Sequence, residues 1–351
     1  MPAWRNSVLG SDATTLDAIG VIRNGGFEIA VVTDGDDRLA GTITDGDVRR
    51  ALLRGLDFET PAAEIMNAAP LTAGEDTDRE WIKDQMLTRK LRQIPLVDAE
   101  KRIVGLAHLR DFTAGDDGRD NRVVLMAGGL GERLRPLTNA TPKPLLSIGD
   151  KPLLQRILES FIAEDFRHFY MSVNYKAETI KDMFGDGARW DADIRYLEED
   201  RKLGTAGALQ LIKERPDAPL IVMNGDLITK VSFRDILDYH NQQEAAATMC
   251  VREYDLQVPF GVVDLDGNEI RAIDEKPVHR FFVNAGIYVI NPDVIDLIPE
   301  GAYKDMTELF DTLIANGKKV TAFPIHEYWL DIGRADDLKR ANLDFQNGTG
   351  T

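Results

Sequence analysis

An apolar strand that runs straight into a glycine-rich loop sets the fold of the larger part of this chain. Val123-Val124-Leu125-Met126 leads into Ala127-Gly128-Gly129-Leu130-Gly131-Glu132-Arg133-Leu134-Arg135-Pro136, and Thr141-Pro142-Lys143-Pro144-Leu145-Leu146 follows. Closely placed glycines let backbone N–H groups approach phosphate oxygens, because no Cβ stands in the way. Arg133 and Lys143 add two cations suited to a triphosphate. A P-loop would end in Gly-Lys-Ser/Thr, and none is present. A dinucleotide fingerprint would need a third Gly or Ala where Leu134 stands, and prolines follow instead of a clean helix. Downstream, apolar runs at 169–173, 194–197, 220–223 and 283–290 read as strands, while 153–162, 205–212, 233–239, 306–314 and 335–345 read as helices. Such alternation over roughly 225 residues predicts an α/β domain with a mainly parallel central sheet. In that architecture ligands sit at the carboxyl ends of the strands, so the segments that follow each strand carry the function.

Ahead of this domain the chain repeats itself. Ile29-Ala30-Val31-Val32-Thr33-Asp34 precedes Arg38-Leu39-Ala40-Gly41-Thr42-Ile43-Thr44 and then Asp47. Ile94-Pro95-Leu96-Val97-Asp98 precedes Arg102-Ile103-Val104-Gly105-Leu106-Ala107-His108 and then Asp111, with Asp34, Gly41 and Asp47 each matched 64 residues later. Each copy reads as helix, strand, turn, strand, helix. Leu16, Ile19 and Ile22 give the helical spacing before the first strand pair, and Trp81, Ile82, Met86 and Leu87 before the second. One unit of ~60 residues buries little surface, so the copies are expected to pack together. The pattern resembles the cystathionine-β-synthase (CBS) domain pair. That resemblance implies an adenine-nucleotide cleft in which Thr44 meets phosphate and Asp47 and Asp111 meet ribose hydroxyls. His108 stands where the second copy would carry a hydroxyl residue. The expected organisation is a CBS pair at 1–115 (copies about 1–66 and 67–115), a polar glycine-bearing linker at 116–121, and the α/β domain at 122–351.

The α/β domain carries further motifs in order. Leu203-Gly204-Thr205-Ala206-Gly207 opens a helix after a strand, and Met223-Asn224-Gly225-Asp226 ends one. Pro259-Phe260-Gly261 starts a hairpin that turns at Asp266-Gly267 and closes at Asp274-Glu275-Lys276-Pro277. Asn284-Ala285-Gly286 and Trp329-Leu330-Asp331-Ile332-Gly333 follow. Together with Gly-Gly-x-Gly-x-Arg-Leu-x-Pro-Leu-Thr and Pro-Lys-Pro, these segments resemble the nucleoside-diphosphate-sugar pyrophosphorylases over about residues 122–346. The resemblance implies a Rossmann-like nucleotidyltransferase domain. Gly128 and Gly129 would contact base and ribose beside Gly131, and Gly204 and Thr205 would help hold the nucleoside. Arg133 would grip the triphosphate and Lys143 would sit by the reacting phosphates. Gly261, Glu275 and Asn284 would line the sugar pocket, Lys276 would pair with the sugar phosphate, and Asp226 and Asp331 would bind Mg²⁺.

The implied reaction is attack of a sugar-1-phosphate oxygen on the α-phosphorus of a nucleoside triphosphate, with pyrophosphate leaving. A phosphate monoester is already ionised at neutral pH, so no general base is required, and the histidines at 168, 240, 279 and 326 fall outside the motifs. A CBS pair fused to such a core resembles the glucosamine-1-phosphate guanylyltransferases of bacterial legionaminic acid synthesis. GTP with a glucosamine- or related hexose-1-phosphate is therefore the leading substrate pair, beside mannose- or heptose-1-phosphate and UTP or dTTP. A catalytically silent nucleotide sensor is the rival of another class; it predicts loss of Arg133, Lys143, Asp226, Lys276 or Asp331, and all five are present.

Composition narrows the partners. A formal charge of −17, from 59 acidic and 42 basic residues, opposes non-specific binding to nucleic acid or an anionic membrane. Cys250 is the only cysteine, so no intramolecular disulfide forms; its apolar neighbours suggest a small buried hydrophobe. No basic-then-apolar leader and no apolar run near ~18 residues is present, which points to the cytoplasm. A homodimer or higher oligomer is expected from the CBS pair.

Overall fold

The computed structural model describes residues 3–109, 112, 119–129 and 131–347. The chain forms two compact units, Met1–Asp117 and Gly118–Thr351.

The first unit contains β1 (Val8–Gly10), α1 (Thr15–Asn24), β2 (Ile29–Thr33), β3 (Leu39–Thr44), α2 (Asp45–Leu53), α3 (Ala62–Ile65), β4 (Ala73–Gly74), α4 (Arg79–Arg89), β5 (Gln93–Val97) and β6 (Ile103–His108). Its two sheets, β1-β2-β3 and β4-β5-β6, repeat one design. The repeat extends to single atoms. Asp34 Oδ1 accepts from the amides of Asp36 (2.9 Å) and Arg38 (3.0 Å), and Asp98 Oδ1 accepts from those of Glu100 (3.0 Å) and Arg102 (2.8 Å). An aspartate that closes its own turn fixes the hairpin register, which explains the shared spacing. The copies do pack together. Leu39 N donates to Lys101 O (2.9 Å), Ile103 N donates to Asp37 O (3.2 Å), and Ile29, Val31, Ile103 and Leu106 form one apolar cluster.

Two details differ from the spacing. Leu16 on α1 is exposed, as are Trp81 and Leu87 on α4, which buries Ile82 and Met86. Strands β1 and β4 have three and two residues, too short to leave a periodic signal. Asp111, most of the helix expected after β6 and residues 116–118 of the linker lie outside the described residues.

The second unit is built on β7 (Arg119–Met126), β8 (Ser147–Ile148), β9 (Lys151–Pro152), α5 (Leu153–Ala163), β10 (Phe166–Val173), α6 (Ala177–Phe184), β11 (Asp193–Glu198), α7 (Gly204–Gly207), β12 (Leu220–Asn224) and β13 (Leu227–Thr229). Then come α8 (Phe233–Gln243), β14 (Ala247–Gln257), β15 (Gly261–Asp266), β16 (Glu269–Glu275), β17 (Val278–Ile290), α9 (Met306–Ala315), β18 (Val320–Ile325), β19 (Trp329–Asp331) and α10 (Ala335–Gln346). The sheet order is β11-β10-β7-β12-β17-β14-β18. β17 runs antiparallel to both neighbours and the remaining pairs are parallel, so the sheet is mixed and mainly parallel.

Alternate strand residues feed opposite faces. Val123, Leu125, Ile221 and Met223 pack with α5, α6 and α8, while Val124, Leu220 and Val222 pack with α7 and α9. α5 buries Leu153, Leu154, Ile157, Leu158 and Phe161, one stripe at helical spacing, and Phe161 stacks on Phe233 with centroids 3.6 Å apart. The helix expected at 205–212 is in fact α7 followed by a 3₁₀ turn at Ala208–Leu211. Glycines at both ends of α7 and its fit against Lys304 and Ala302 carbonyls shorten it.

Cys250 is buried. His240 is a core residue too, 1% exposed, with Nδ1 2.8 Å from Thr248 Oγ1 and Nε2 3.0 Å from Asn291 Oδ1. Burial pushes its pKa below the ordinary 6.5, against the pull of the Asn291 bond. The folded state thus resists protonation that the unfolded chain accepts. The stability this group contributes is complete above 6.5 and is lost as pH falls from there through the depressed folded value. Denaturant unfolding at pH 7.5 and 5.5 should show a loss of stability at the lower pH, and His240→Gln should reduce that loss. An unchanged difference would remove His240 as a cause.

Candidate active site

Two strand ends create a carboxylate pair. β13 and β19 pair antiparallel with Leu227 opposite Asp331, and Ile332 N donates to Asp226 O at 2.9 Å. Asp226 and Asp331 therefore leave neighbouring backbone positions although 105 residues separate them in sequence. The turn that carries Asp226 presses on the start of the glycine loop. Gly225 N donates to Met126 O at 2.9 Å, and a Cβ at position 225 would lie 2.6 Å from that oxygen. Only glycine permits that approach.

Both cations reach this pair. Lys143, 8% exposed, forms an ion pair with Asp226 through Nζ and Oδ2. Gly131, at φ +62, packs against Lys143, and its carbonyl accepts from Thr138 Oγ1 at 2.8 Å. Arg133 lies over Gly333: a Cβ there would stand 3.5 Å from its Nη1. The Asp331 carboxyl is held above the ordinary carboxylate range, first by desolvation and then by the Asp226 charge, with Lys143 and Arg133 pulling the other way. Asp331 keeps an exposed surface, which tempers desolvation. The Asp226 charge, fixed beside it by the strand pairing, is the cause on which the site's electrostatics rest.

The rest of the glycine loop faces β11. A Cβ at Gly128 would meet Glu199 Oε1 at 3.0 Å, whereas Gly129 is exposed with nothing within 4 Å of such an atom. Glu199 binds the surrounding loops together, accepting from Ser172 Oγ (2.5 Å) and Leu203 N (3.0 Å). Gly204, at φ +81, lies against the Lys304 carbonyl. Thr205 is committed to α9: its amide donates to Asp305 Oδ1 at 3.2 Å and its hydroxyl accepts from Met306 N at 2.9 Å. Asn284 donates to Tyr288 OH (2.7 Å) and accepts from Gly286 N (2.9 Å).

Gly261, Glu275 and Lys276 stand on the β15–β16 hairpin and at its exit. Gly261 pairs with Glu275 across the β15–β16 hairpin, Lys276 follows at φ +52, and all three are exposed. In the first unit, Thr44 and Asp47 cap α2, with Thr44 Oγ1 donating to Asp47 Oδ2 at 2.6 Å, and Asp47 also pairs with Arg50. Asp47 lines a cavity of about 450 Å³ with Arg50, Arg54, Glu64 and Met66.

Sequence reasoning missed Glu199, Gly333 as the seat of Arg133, and Asn224, whose buried Oδ1 has no hydrogen-bond partner among the described residues. Asn224 and Gly333 stand inside motifs already singled out. Glu199 has only its place after an apolar run to mark it.

The family model described as nucleotidyl transferase matches residues 122–348. The chain belongs to that family. Matches to the CBS domain cover residues 5–54 and 62–115, ahead of the nucleotidyl transferase unit. The mannose-1-phosphate guanyltransferase of Candida albicans is 33% identical over 224 residues, 61% of this chain and 62% of that protein. The mannose-1-phosphate guanylyltransferase of Mycobacterium tuberculosis is 32% identical over 234 residues, 64% of each. The chain thus spans less than two thirds of the length of these curated relatives. In structure, the nucleotidyl transferase unit is similar to HddC from Yersinia pseudotuberculosis, with TM-score 0.51 and 26% identity over 64% of this chain and 99% of that one. HddC has also been solved with GMP-PN (TM-score 0.50, 25% identity). Among the described residues no helix is long and apolar enough to cross a membrane.

Proposed function

We propose that this chain is a sugar-1-phosphate nucleotidyltransferase that makes a nucleoside-diphosphate sugar. A sugar-1-phosphate oxygen bonds to the α-phosphorus as the bond to the bridging β-phosphate oxygen breaks, and pyrophosphate leaves. The observation that carries the reading is the cluster of Asp226, Asp331, Lys143 and Arg133 beside the glycine loop. Two adjacent carboxylates, one with its pKa raised by desolvation and then by the other's charge, are a hard-oxygen donor set that suits a dication, and Mg²⁺ is the one we assign. Asp226 and Asp331 would hold it, and once bound it neutralises charge on the reacting phosphates.

The chain's own groups do the rest. Arg133 and Lys143 offset charge on the triphosphate and the leaving pyrophosphate, aimed before the reaction begins. Gly128 and Gly129 admit base and ribose to the backbone, with Gly131 shaping the turn. Gly204 and Thr205 fix the adjoining loop; the engagement of Thr205 with Asp305 and Met306 favours a scaffolding role over a direct contact. Gly261, Glu275, Lys276 and Asn284 serve the sugar phosphate. Lys276→Ala should raise KM for the sugar phosphate ~10–100-fold with nucleotide affinity unchanged, as expected for loss of one charge-assisted contact; an unchanged KM would reject that role.

GTP is the proposed nucleotide, supported by the guanylyltransferase relatives and by the GMP-PN complex of HddC. The sugar is a hexose-1-phosphate, mannose-1-phosphate by likeness to those relatives, with glucosamine-1-phosphate as the alternative. An adenine nucleotide at the CBS pair, held near Asp47 and its arginines, is the proposed regulator, and the cytoplasm the proposed location. A pyrophosphate-release assay with Mg²⁺, crossing nucleoside triphosphates with hexose- and heptose-1-phosphates, tests this. Release should need GTP and one hexose-1-phosphate. Silence with every pair, adenine nucleotide present, would favour a nucleotide sensor.

A further inference from the structure

On the nucleotidyltransferase reading above, we infer that Lys176 is a positioning residue for the nucleotide. Its ammonium tethers the far side of the glycine-rich loop, and so keeps Arg133 and Lys143 aimed at the triphosphate.

The loop has few other ties. Between its two cations the backbone bonds are short-range: Leu137 N to Leu134 O at 3.0 Å and Asn139 N to Pro136 O at 3.1 Å. Thr138 Oγ1 also turns back, onto Gly131 O. These bonds curl the segment on itself without fastening it to the sheet. Among the described residues, two hydrogen bonds join 131–141 to another part of the chain, and Lys176 makes both. Its Nζ donates to Asn139 O at 2.7 Å and to Ala140 O at 2.6 Å. Both acceptors lie on an exposed turn, so without the ammonium they would face water. A charged donor makes the stronger kind of hydrogen bond, which suits a tether that has no backbone ladder to help it.

The tether comes from the neighbouring strand. Lys176 follows β10, which lies parallel to β7, and the loop leaves β7. The same stretch reaches the loop's start: a Cβ at Gly128 would lie 3.4 Å from Asn174 Cβ, and Asn174 Nδ2 donates to Glu199 O at 2.9 Å. Asn174 thus lines one end of the loop while Lys176 holds the other. Lys176 sits at φ +54, a left-handed conformation that residues with a Cβ rarely adopt. It precedes α6 without a side-chain cap bond, so its side chain is committed to the loop and not to its own helix. No carboxylate pairs with it among the described residues; its nearest charged-group contact is the Tyr175 ring, 5.3 Å away.

Arg133 depends most on this tether. Lys143 is also fixed by Asp226, whereas Arg133 is exposed and rests against Gly333. A displacement of about 1 Å in a preorganised group can cost ~10²-fold in rate.

Lys176→Met and Lys176→Arg test this in the full chain, by hydrogen–deuterium exchange and by pyrophosphate release. Methionine keeps an apolar stem and removes the donor; arginine can still donate to two carbonyls. In Lys176→Met the amides of 131–141 should exchange at least ~5-fold faster. Its kcat/KM for GTP should fall ~10–100-fold, with KM for the sugar phosphate unchanged. Lys176→Arg should restore both measures toward wild type. Unchanged exchange at 131–141 in Lys176→Met would overturn the proposal. So would faster exchange with unaltered kinetics, which would leave Lys176 a packing residue. A loss for GTP that arginine does not recover, although its loop exchanges as in wild type, would mean direct contact with the nucleotide and would overturn positioning. An inert wild type whose loop still loosens in Lys176→Met would instead condemn the functional reading.

Discussion

Asp226→Ala should lower turnover by at least ~10³-fold and leave the fold intact. The fold should survive because the backbone, not the side chain, holds this position. Gly225 N to Met126 O and Ile332 N to Asp226 O are main-chain bonds, and β13 pairs with β19 whatever side chain stands at 226. The carboxylate itself has opposed effects: it pairs with Lys143 and repels Asp331. Its removal should therefore shift the melting temperature by only a few degrees, about 1 kcal/mol in a unit of this size. The Asp331 carboxyl should at the same time return toward the ordinary carboxylate range, since one of the charges that raises it is gone. Pyrophosphate release at saturating substrates, read beside a circular-dichroism melt, separates the two effects. Retained turnover would remove Asp226 from the site, and a collapsed melt would make the position structural.

How far the sequence could be read depended on whether a constraint was local. The Asp34 and Asp98 turns are closed by side chains two and four residues from the amides they bind, so their spacing announced the repeat. The strands that carry Asp226 and the glycine loop were legible because each is a short apolar run with a motif at its end. Thr205 was harder: whether its hydroxyl faces a ligand or Met306 depends on a helix 101 residues away. The hairpin is a different case. Gly261, Glu275 and Lys276 were recognised as a motif, but nothing in a linear pattern says whether a pair of strands curls over its own sheet or stands away from it. That choice depends on surfaces outside the pattern; β14 and β17 stay paired as far as Gln257 opposite Val278, with Tyr254, Phe281 and Phe282 exposed. Motif spacing records which groups a reaction needs.

Lys143→Met separates two readings of the ion pair with Asp226. Methionine keeps much of the apolar stem, so packing against Gly131 should persist, while the ammonium is lost. As a preorganised cation aimed at the phosphates, Lys143 should contribute ~10²–10³-fold to kcat, and the variant should lose that much. The effect on dication binding should run the other way. In the absence of substrate the ammonium occupies Asp226, so it competes with a dication for the same carboxylate. Removing it leaves Arg133 to offset Asp331 and makes the carboxylate pair more negative and more receptive. Stability without metal should fall at neutral pH, since two neighbouring carboxylates lose their nearest counter-charge. Titration calorimetry with Mn²⁺ should then show equal or tighter binding than in wild type, and addition of the dication should restore more stability to the variant than to wild type. Binding weakened tenfold or more would mean that Lys143 orders the carboxylates for the ion instead of competing with it, and its contribution to turnover would then act through the metal site.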